Sequence, residues 1–333
     1  AMCYAYIYAA SHNLPEIGVQ MTYCNMETEE IKRFQSGYIF EDLERWFYEL
    51  IGKYEKWARY QIQWKKKRDK SIKDVEFPFA YRERAESKSM NYRLDIEYDG
   101  SRYEGWQRQN RTTNTIQGKI EEVLSKMCET PIEIDGAGRT DAGVHAKGQV
   151  ANVHLETEKS CEEICDYLNH YLPEDIAVQC VSEAEPRFHS RLLAKEKIYQ
   201  YRILTGGHKN VFERKYVYPL QETLDIKAMK KAAEKLVGTH DFKSFCSNKK
   251  MKKSTVRTIY EIKLEEENGE IRITYRGNGF LYNMVRILTG TLIEVGRGEK
   301  MAESIEGILE AKERSSAGFT VPARGLTLSE VRY

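Results

Sequence analysis

The chain has 333 residues, of which 41% are hydrophobic and 31% are charged. This mixture argues against a mostly disordered chain, and the length suggests about two domains. No run reaches the roughly 18 to 20 consecutive apolar residues that a membrane-spanning helix needs. The 52 basic and 51 acidic residues give a net charge of +1, which by itself predicts no nucleic-acid partner, although a local basic surface can still bind phosphate. The N-terminus lacks the basic segment of a signal peptide, so the expected location is cytoplasmic.

The cysteines favour neither a disulfide framework nor a metal site. There are seven of them, an odd number, and no two form a Cys-x-x-Cys pair, so a four-ligand zinc site is not expected. Cys161 and Cys165 lie four apart on a predicted helix and are interpreted as buried small hydrophobic residues.

The N-terminal part, residues 1–76, predicts a small α/β appendage. An apolar and aromatic segment at 4–11 precedes predicted strands at 18–25 and 30–35. A long amphipathic helix is predicted over 41–69, because apolar residues recur there at helical spacing. These are Leu43, Trp46, Phe47, Leu50, Ile51, Tyr54 and Trp57.

A polar stretch without apolar periodicity, residues 77–89, predicts a linker. After it the order of predicted elements is regular, since residues 90–193 contain one β-α-β-β-α-β unit and residues 194–333 contain another. The predicted strands lie at 92–99, 132–137, 149–156, 176–184, 197–205, 255–265, 270–276 and 326–332. The predicted helices lie at 115–127, 161–171, 224–236, 284–295 and 305–311.

This order predicts an α+β fold. Two ferredoxin-like β-α-β-β-α-β halves would join edge to edge into one mixed, mostly antiparallel sheet flanked by helices. A central cleft would lie between the halves.

A glycine-rich loop at 136–149 contains candidate chemical groups. Its four glycines predict tight turns between two strands, with Arg139, Asp141 and His145 inside them. Asp141 could be a nucleophile, a general base or the partner of Arg139 in a purely structural turn. The loop lacks the ending of a phosphate-binding P-loop, and a metal site at Asp141 and His145 would have no third ligand nearby.

The loop at 98–109 interleaves arginines, aromatics and amides, a composition that can contact phosphates and stack on bases. Its candidates are Arg102, Tyr103, Trp106 and Gln107. The alternative interpretation is a turn in which Trp106 covers the core.

Further candidates lie in the second half of the chain. Phe188 and Arg191 begin a basic and aromatic stretch that continues to Tyr199, which faces one side of a predicted strand together with Tyr201. A strand tyrosine is more often a core residue than a catalytic one. Arg286 follows Phe280 and lies on an otherwise apolar helix, so it is a candidate buried cation that needs a carboxylate partner.

Residues from about 90 to 333 resemble the tRNA pseudouridine synthases of the TruA family. The resemblance depends on five motifs that occur in the family's order. They lie at 97–107, 138–145, 169–173, 187–191 and 284–286.

The resemblance implies roles for four residues. Asp141 would be the catalytic aspartate that attacks or deprotonates the nucleotide, and Arg139 would help to flip the target base. Tyr199 would stack on the uracil and later assist deprotonation at C5, and Arg286 would pair with Asp141. A substrate-binding surface is predicted from Arg102, Tyr103, Trp106, Gln107, His145, Arg187, Phe188, Arg191 and Phe280.

The family acts on uridines at positions 38 to 40 of the tRNA anticodon arm, typically as a homodimer. It uses neither a metal nor an organic cofactor. A non-catalytic RNA-binding module of the same fold is the alternative, and the joint presence of Asp141, Arg139, Tyr199 and Arg286 favours the enzyme.

Residues 1–76 resemble part of the PD-(D/E)XK nuclease modules that are attached to certain DNA helicases. The catalytic part of such a nuclease would precede Ala1, so nuclease activity is not expected. A DNA-processing fragment is a further alternative for the function of the chain, and the missing catalytic part counts against it. The expectation is a partly exposed, poorly packed appendage whose strands lack partners.

Overall fold

The computed structural model describes residues 2–24, 31–71, 89–207, 209–248, 251 and 253–333. The chain divides into two compact units, Ala1–Ala85 and Glu86–Tyr333. The predicted linker, apart from Ser89, lies outside the described residues.

The first unit contains helix α1, strands β1 and β2, and helix α2. They span Met2–His12, Glu16–Cys24, Ile31–Ile39 and Phe40–Ser71. The two strands pair with each other as an antiparallel hairpin, so the expectation that they lack partners is wrong. The first unit is partly exposed, as predicted, because its described buried hydrophobic residues are Ala5, Ala9 and Leu43. Of the described helices, none is long and apolar enough to cross a membrane.

The second unit begins with a half that contains strands β3, β4, β5 and β6 and helices α3 and α4. The strands span Met90–Tyr98, Asp135–Gly136, His145–Leu155 and Ile176–Ala184. The helices span Ile116–Cys128 and Cys161–Tyr171. The predicted strand at 132–137 is reduced to two residues, which pair only with Asn152 and Ala151.

The other half contains strands β7 to β12 and helices α5 to α7. The strands span Glu196–Leu204, Tyr218–Pro219, Gly238–Asp241, Val256–Glu267, Glu270–Gly277 and Leu326–Arg332. The helices span Ile226–Leu236, Met284–Gly296 and Ser304–Ala311. Strands β8 and β9 were not predicted, because two to four residues are too few to show an alternating pattern.

Both halves contribute to one sheet, with the strand order β6-β3-β5-β12-β7-β11-β10-β9. In each half, the first strand lies between the last strand and the one before it in that half: β3 lies between β6 and β5, and β7 lies between β12 and β11. The halves meet where β5 and β12 run parallel and pair Thr327 with His145 and Leu328 with Ala146. We call this junction the seam. The other neighbours in this order are antiparallel, so a mixed, mostly antiparallel sheet flanked by helices is confirmed.

The sheet has an apolar face and a polar face. Along β3, Leu94 and Ile96 are buried in the core that the helices share. Between and beside them, Arg93 and Asp95 form an ion pair at 2.8 Å on the other face. Side chains alternate in this way along any strand, so Lys197, Tyr199 and Tyr201 of β7 share one face of the sheet.

Helix α6 packs closely against the chain that follows α7. A Cβ atom at Gly290 would lie 1.9 Å from the backbone oxygen of Phe319, whereas a Cβ at Gly307 on α7 meets nothing within 4 Å. We expect Gly290→Ala to lower the free energy of unfolding by about 3 kcal/mol, because backbone atoms must move. Gly307→Ala is the matched control and should raise stability by up to about 1 kcal/mol. Urea unfolding measures both, and equal stability of the two variants would refute the close approach.

Candidate active site

A cavity of about 900 Å³ lies between the two halves of the sheet. The first half contributes Arg139, Asp141 and Arg191 to its lining, and the second contributes Tyr199 and Arg286. Residues that are far apart in the sequence therefore face one space.

The loop between β4 and β5 is fixed on both sides of Asp141. The Thr140 hydroxyl lies 2.7 Å from the Tyr98 hydroxyl, and the Thr140 carbonyl accepts the Trp106 amide at 3.0 Å. Gly105 makes this approach possible, because it has a φ of 99° and a Cβ there would lie 2.7 Å from the Thr140 oxygen. On the far side, the Val144 amide donates to the Asp141 carbonyl at 3.1 Å. Hydrogen bonds therefore fix the backbone on both sides of Asp141, and its carboxyl projects from this fixed loop.

Asp141 faces a cation from the other half of the sheet. The Arg286 guanidinium donates from Nη1 to Asp141 Oδ2 at 3.4 Å. It is held by further bonds to the Val321 carbonyl at 2.8 Å and to Asn283 Oδ1 at 2.9 Å. The Asp141 side chain keeps 25% of its surface exposed, so the carboxyl is accessible from the cavity.

Two opposing effects act on the Asp141 carboxyl. Burial is the larger effect and raises its pKa, while the charge and hydrogen bond of Arg286 lower it, and the net pKa is raised. The guanidinium therefore limits the penalty of ionising a carboxyl in a partly dry cavity.

Tyr199 supplies an aromatic wall of the cavity. Its ring is buried and meets Phe280 edge to face at 5.3 Å between centroids. Burial, followed by the proximity of Tyr98 and Asp141, raises the pKa of Tyr199, so the phenol is protonated at neutral pH. Tyr201 lies on the same side of β7 but donates to the Pro322 carbonyl at 2.7 Å within the core.

Four of the nine predicted substrate-binding residues line this cavity, namely Trp106, Gln107, Arg191 and Phe280. Trp106 is buried and packs on Gly136, where a Cβ would lie 2.4 Å from the indole nitrogen. Trp106 therefore packs in the core and also lines the cavity, and its contact with substrate stays a prediction.

The other five do not line the cavity; they are Arg102, Tyr103, His145, Arg187 and Phe188. Arg102 and Tyr103 both bind the carboxylate of Asp175, and the Tyr103 ring is buried. Phe188 packs on the ring of Tyr333 at 5.0 Å. For these residues a contact with substrate remains a prediction.

His145 is buried and connects the two halves. Its Nδ1 accepts the Gly100 amide at 3.1 Å, and its Nε2 donates to the carbonyls of Lys215 and Arg324 at 3.1 and 3.2 Å. Burial lowers the pKa of His145, opposed by the nearby Asp99 carboxylate. His145 is therefore a buried packing residue of the seam.

Three basic residues that sequence reasoning missed also line the cavity: Lys197, Lys253 and Arg257. Lys197 lies two residues before Tyr199 on β7. Since residues two apart share a face of a strand, assigning Tyr199 to the site would also have assigned Lys197.

Comparisons with known proteins match residues in both halves of the second unit. A family model described as tRNA pseudouridine synthase matches residues 96–191 and 232–333. The chain is 51% identical to tRNA pseudouridine synthase A of Bacillus sp. (strain KSM-64) over 243 residues, which are 73% of this chain and 99% of that protein. It is 48% identical to tRNA pseudouridine synthase A 1 of Clostridium tetani (strain Massachusetts / E88), with the same coverage of 73% and 99%. The predicted TruA resemblance is confirmed, and the chain belongs to the tRNA pseudouridine synthase family.

Proposed function

We propose that this chain is an isomerase that converts uridine to pseudouridine in tRNA, with Asp141 as its nucleophile. The observation that carries this proposal is the Asp141 carboxyl at 3.4 Å from Arg286 in a cavity that Tyr199 also lines. The family membership supports the reaction, and the geometry supports the assignment of residues.

The reaction moves one glycosidic bond and is redox neutral. The bond between uracil N1 and the sugar C1′ breaks, the uracil turns, and C5 bonds to C1′. The proton on C5 is lost and N1 gains one, so the atoms balance without an oxidant. Positive charge develops at C1′ when the first bond breaks, and the ionised Asp141 would stabilise it by bonding or by its field.

The target uridine must leave the stacked helix before Asp141 can reach it. This costs a few kcal/mol, and aromatic stacking offsets part of that cost. We assign the stacking face to Tyr199, whose ring lines the cavity. Because the phenol is protonated at neutral pH, assisting deprotonation at C5 would require it to pass its own proton on. Arg139 is exposed at the cavity and would occupy the position that the base vacates.

The remaining expectations extend this proposal. We propose that the substrate uridines lie at positions 38 to 40 of the anticodon arm and that the chain acts as a homodimer, as the TruA resemblance implies. We also propose that each half is ferredoxin-like, with domain bounds at 90–193 and 194–333. The strand order of the sheet supports this, since the first strand of each half lies between its last strand and the one before it. The nuclease-like origin of residues 1–76 stays a prediction.

The test is tritium release from a tRNA transcript labelled at uridine C5, with the full chain as enzyme. We expect release from the wild-type transcript and none from a control transcript in which the anticodon-arm uridines are replaced by cytidine. Equal release from both would refute the anticodon arm as the target. No release from either, with tRNA still bound, would favour the non-catalytic RNA-binding module.

A further inference from the structure

The cavity contains more positive than negative charge. Its lining includes six basic residues and two acidic ones, Asp135 and Asp141. Arg286 pairs with Asp141. Among the residues that the structure describes, no carboxylate pairs with the other five cations, which are Arg139, Arg191, Lys197, Lys253 and Arg257.

On the strands of the second half, the arginines that do not line the cavity pair with carboxylates. Arg202 on β7 binds Glu270 at 2.7 Å, and Arg276 on β11 binds Glu196 at 2.8 Å. Arg202 lies on the face of β7 opposite Tyr199, because strand side chains alternate. Among the arginines on the described strands of this half, the one without a carboxylate partner is therefore Arg257, which lines the cavity.

Two of the cations that lack a carboxylate partner, Lys197 and Arg257, are partly buried. Lys197 donates from Nζ to the Ala137 carbonyl at 2.7 Å, on the loop that leads to Asp141. Arg257 donates from Nη1 to two backbone carbonyls, those of Ser254 and Val256. Burial, together with the charges of Arg191 and Arg257, lowers the pKa of Lys197 to about 8.

A group of like charges in a partly dry site is unfavourable unless an anion joins it. We infer that Lys197, Arg191 and Arg257 form a phosphate-binding subsite that holds a backbone phosphate beside the uridine attacked by Asp141. The inference rests on the proposed function for the identity of its occupant. The Cα atoms of residues two apart on a strand are about 6.6 Å apart and their side chains share a face, so Lys197 and Tyr199 are neighbours on the cavity side of β7.

The subsite predicts that proton uptake accompanies binding. An anion restores the pKa of Lys197 toward its ordinary value. Lys197 is partly deprotonated at pH 8 in the free chain, so it takes up a proton when tRNA binds. Titratable and charged groups of the first half that face the cavity are Asp135, Arg139, Asp141 and Arg191. Those of the second half are Tyr199, Lys253, Arg257, Tyr282 and Arg286.

The experiment is isothermal titration of tRNA into the full chain at pH 8, in buffers of different ionisation enthalpy. Wild type should take up about half a proton, since the pKa of Lys197 is about 8. Lys197→Arg should bind with comparable affinity and lose this uptake, because arginine is always charged. Lys197→Met should lose the uptake and reduce the slope of log affinity against log salt concentration by about 1. Arg257→Gln should reduce the slope by a similar amount.

Lys263→Met is the matched control. Lys263 is an exposed lysine that pairs with Glu265 outside the cavity, so its loss should leave proton uptake unchanged. The subsite would be overturned if both Lys197→Met and Arg257→Gln kept the wild-type slope of log affinity against log salt concentration and the wild-type proton uptake. Turnover measured on the same preparations separates the two proposals. Proton uptake that depends on Lys197 in a chain without turnover would support the subsite and refute the isomerase.

Discussion

Asp141→Asn is expected to reduce the rate of pseudouridine formation by about a thousandfold or more while tRNA affinity changes little. The amide has nearly the shape of the carboxyl but neither its charge nor its nucleophilicity. The loop should keep its conformation, because it is held through backbone groups of Thr140 and Asp141 and through the Thr140 hydroxyl.

Asp135→Asn is the matched control for this variant. Asp135 also lines the cavity, so the substitution removes the same charge from the same space, and its side chain is 65% exposed. Single-turnover tritium release and tRNA binding should be measured for both variants. Comparable rates for Asp141→Asn and wild type would remove Asp141 from the mechanism, whereas equal losses in both variants would indicate a general effect of charge.

Arg286→Met is expected to reduce kcat by about a hundredfold at neutral pH. It should also move the acid limb of the pH–rate profile to higher pH. The Asp141 pKa is already raised by burial, and Arg286 is the group that opposes this rise. Without the guanidinium the pKa rises further. Since the ionised carboxylate is the reactive form, activity falls at a higher pH as the solution is acidified.

Arg286→Lys separates charge from geometry. The ammonium keeps the positive charge but cannot bond Val321, Asn283 and Asp141 together as the guanidinium does. Its acid limb should therefore lie between those of wild type and Arg286→Met. The measurement is kcat against pH for the three proteins. An unchanged acid limb in Arg286→Met would show that Asp141 is not the group that titrates.

Much of the fold was predictable because it depends on local patterns. The alternation of apolar residues located the long strands, including those at 255–265 and 270–276 that form β10 and β11. An arginine on the apolar helix α6 predicted a carboxylate partner, and the structure places Asp141 beside it. These features needed only the spacing of residues or the energetic penalty of an unpaired charge.

The composition of the cavity was less predictable, because it depends on which face of the sheet a loop residue reaches. His145 is four residues after Asp141, yet it lies against a separate cavity with Gln200 and Arg202. Tyr103 is three residues before Trp106, yet it binds Asp175, which is distant in sequence. Contacts between residues that are distant in the sequence cannot be predicted from a local pattern.

The ion pair of Asp141 and Arg286 has a second consequence, because it connects the two halves that meet at the seam. These residues belong to different halves, which are joined in the sheet through the pairing of β5 with β12. Thermodynamic linkage is reciprocal. If drawing the halves apart weakens the hold of Arg286 on Asp141, a proton on Asp141 must favour separation by the same free energy. In that case the protonation of Asp141 and the separation of the two halves belong to a single equilibrium, and a substitution at Leu328 in the seam would change the pKa of Asp141 without touching the substrate.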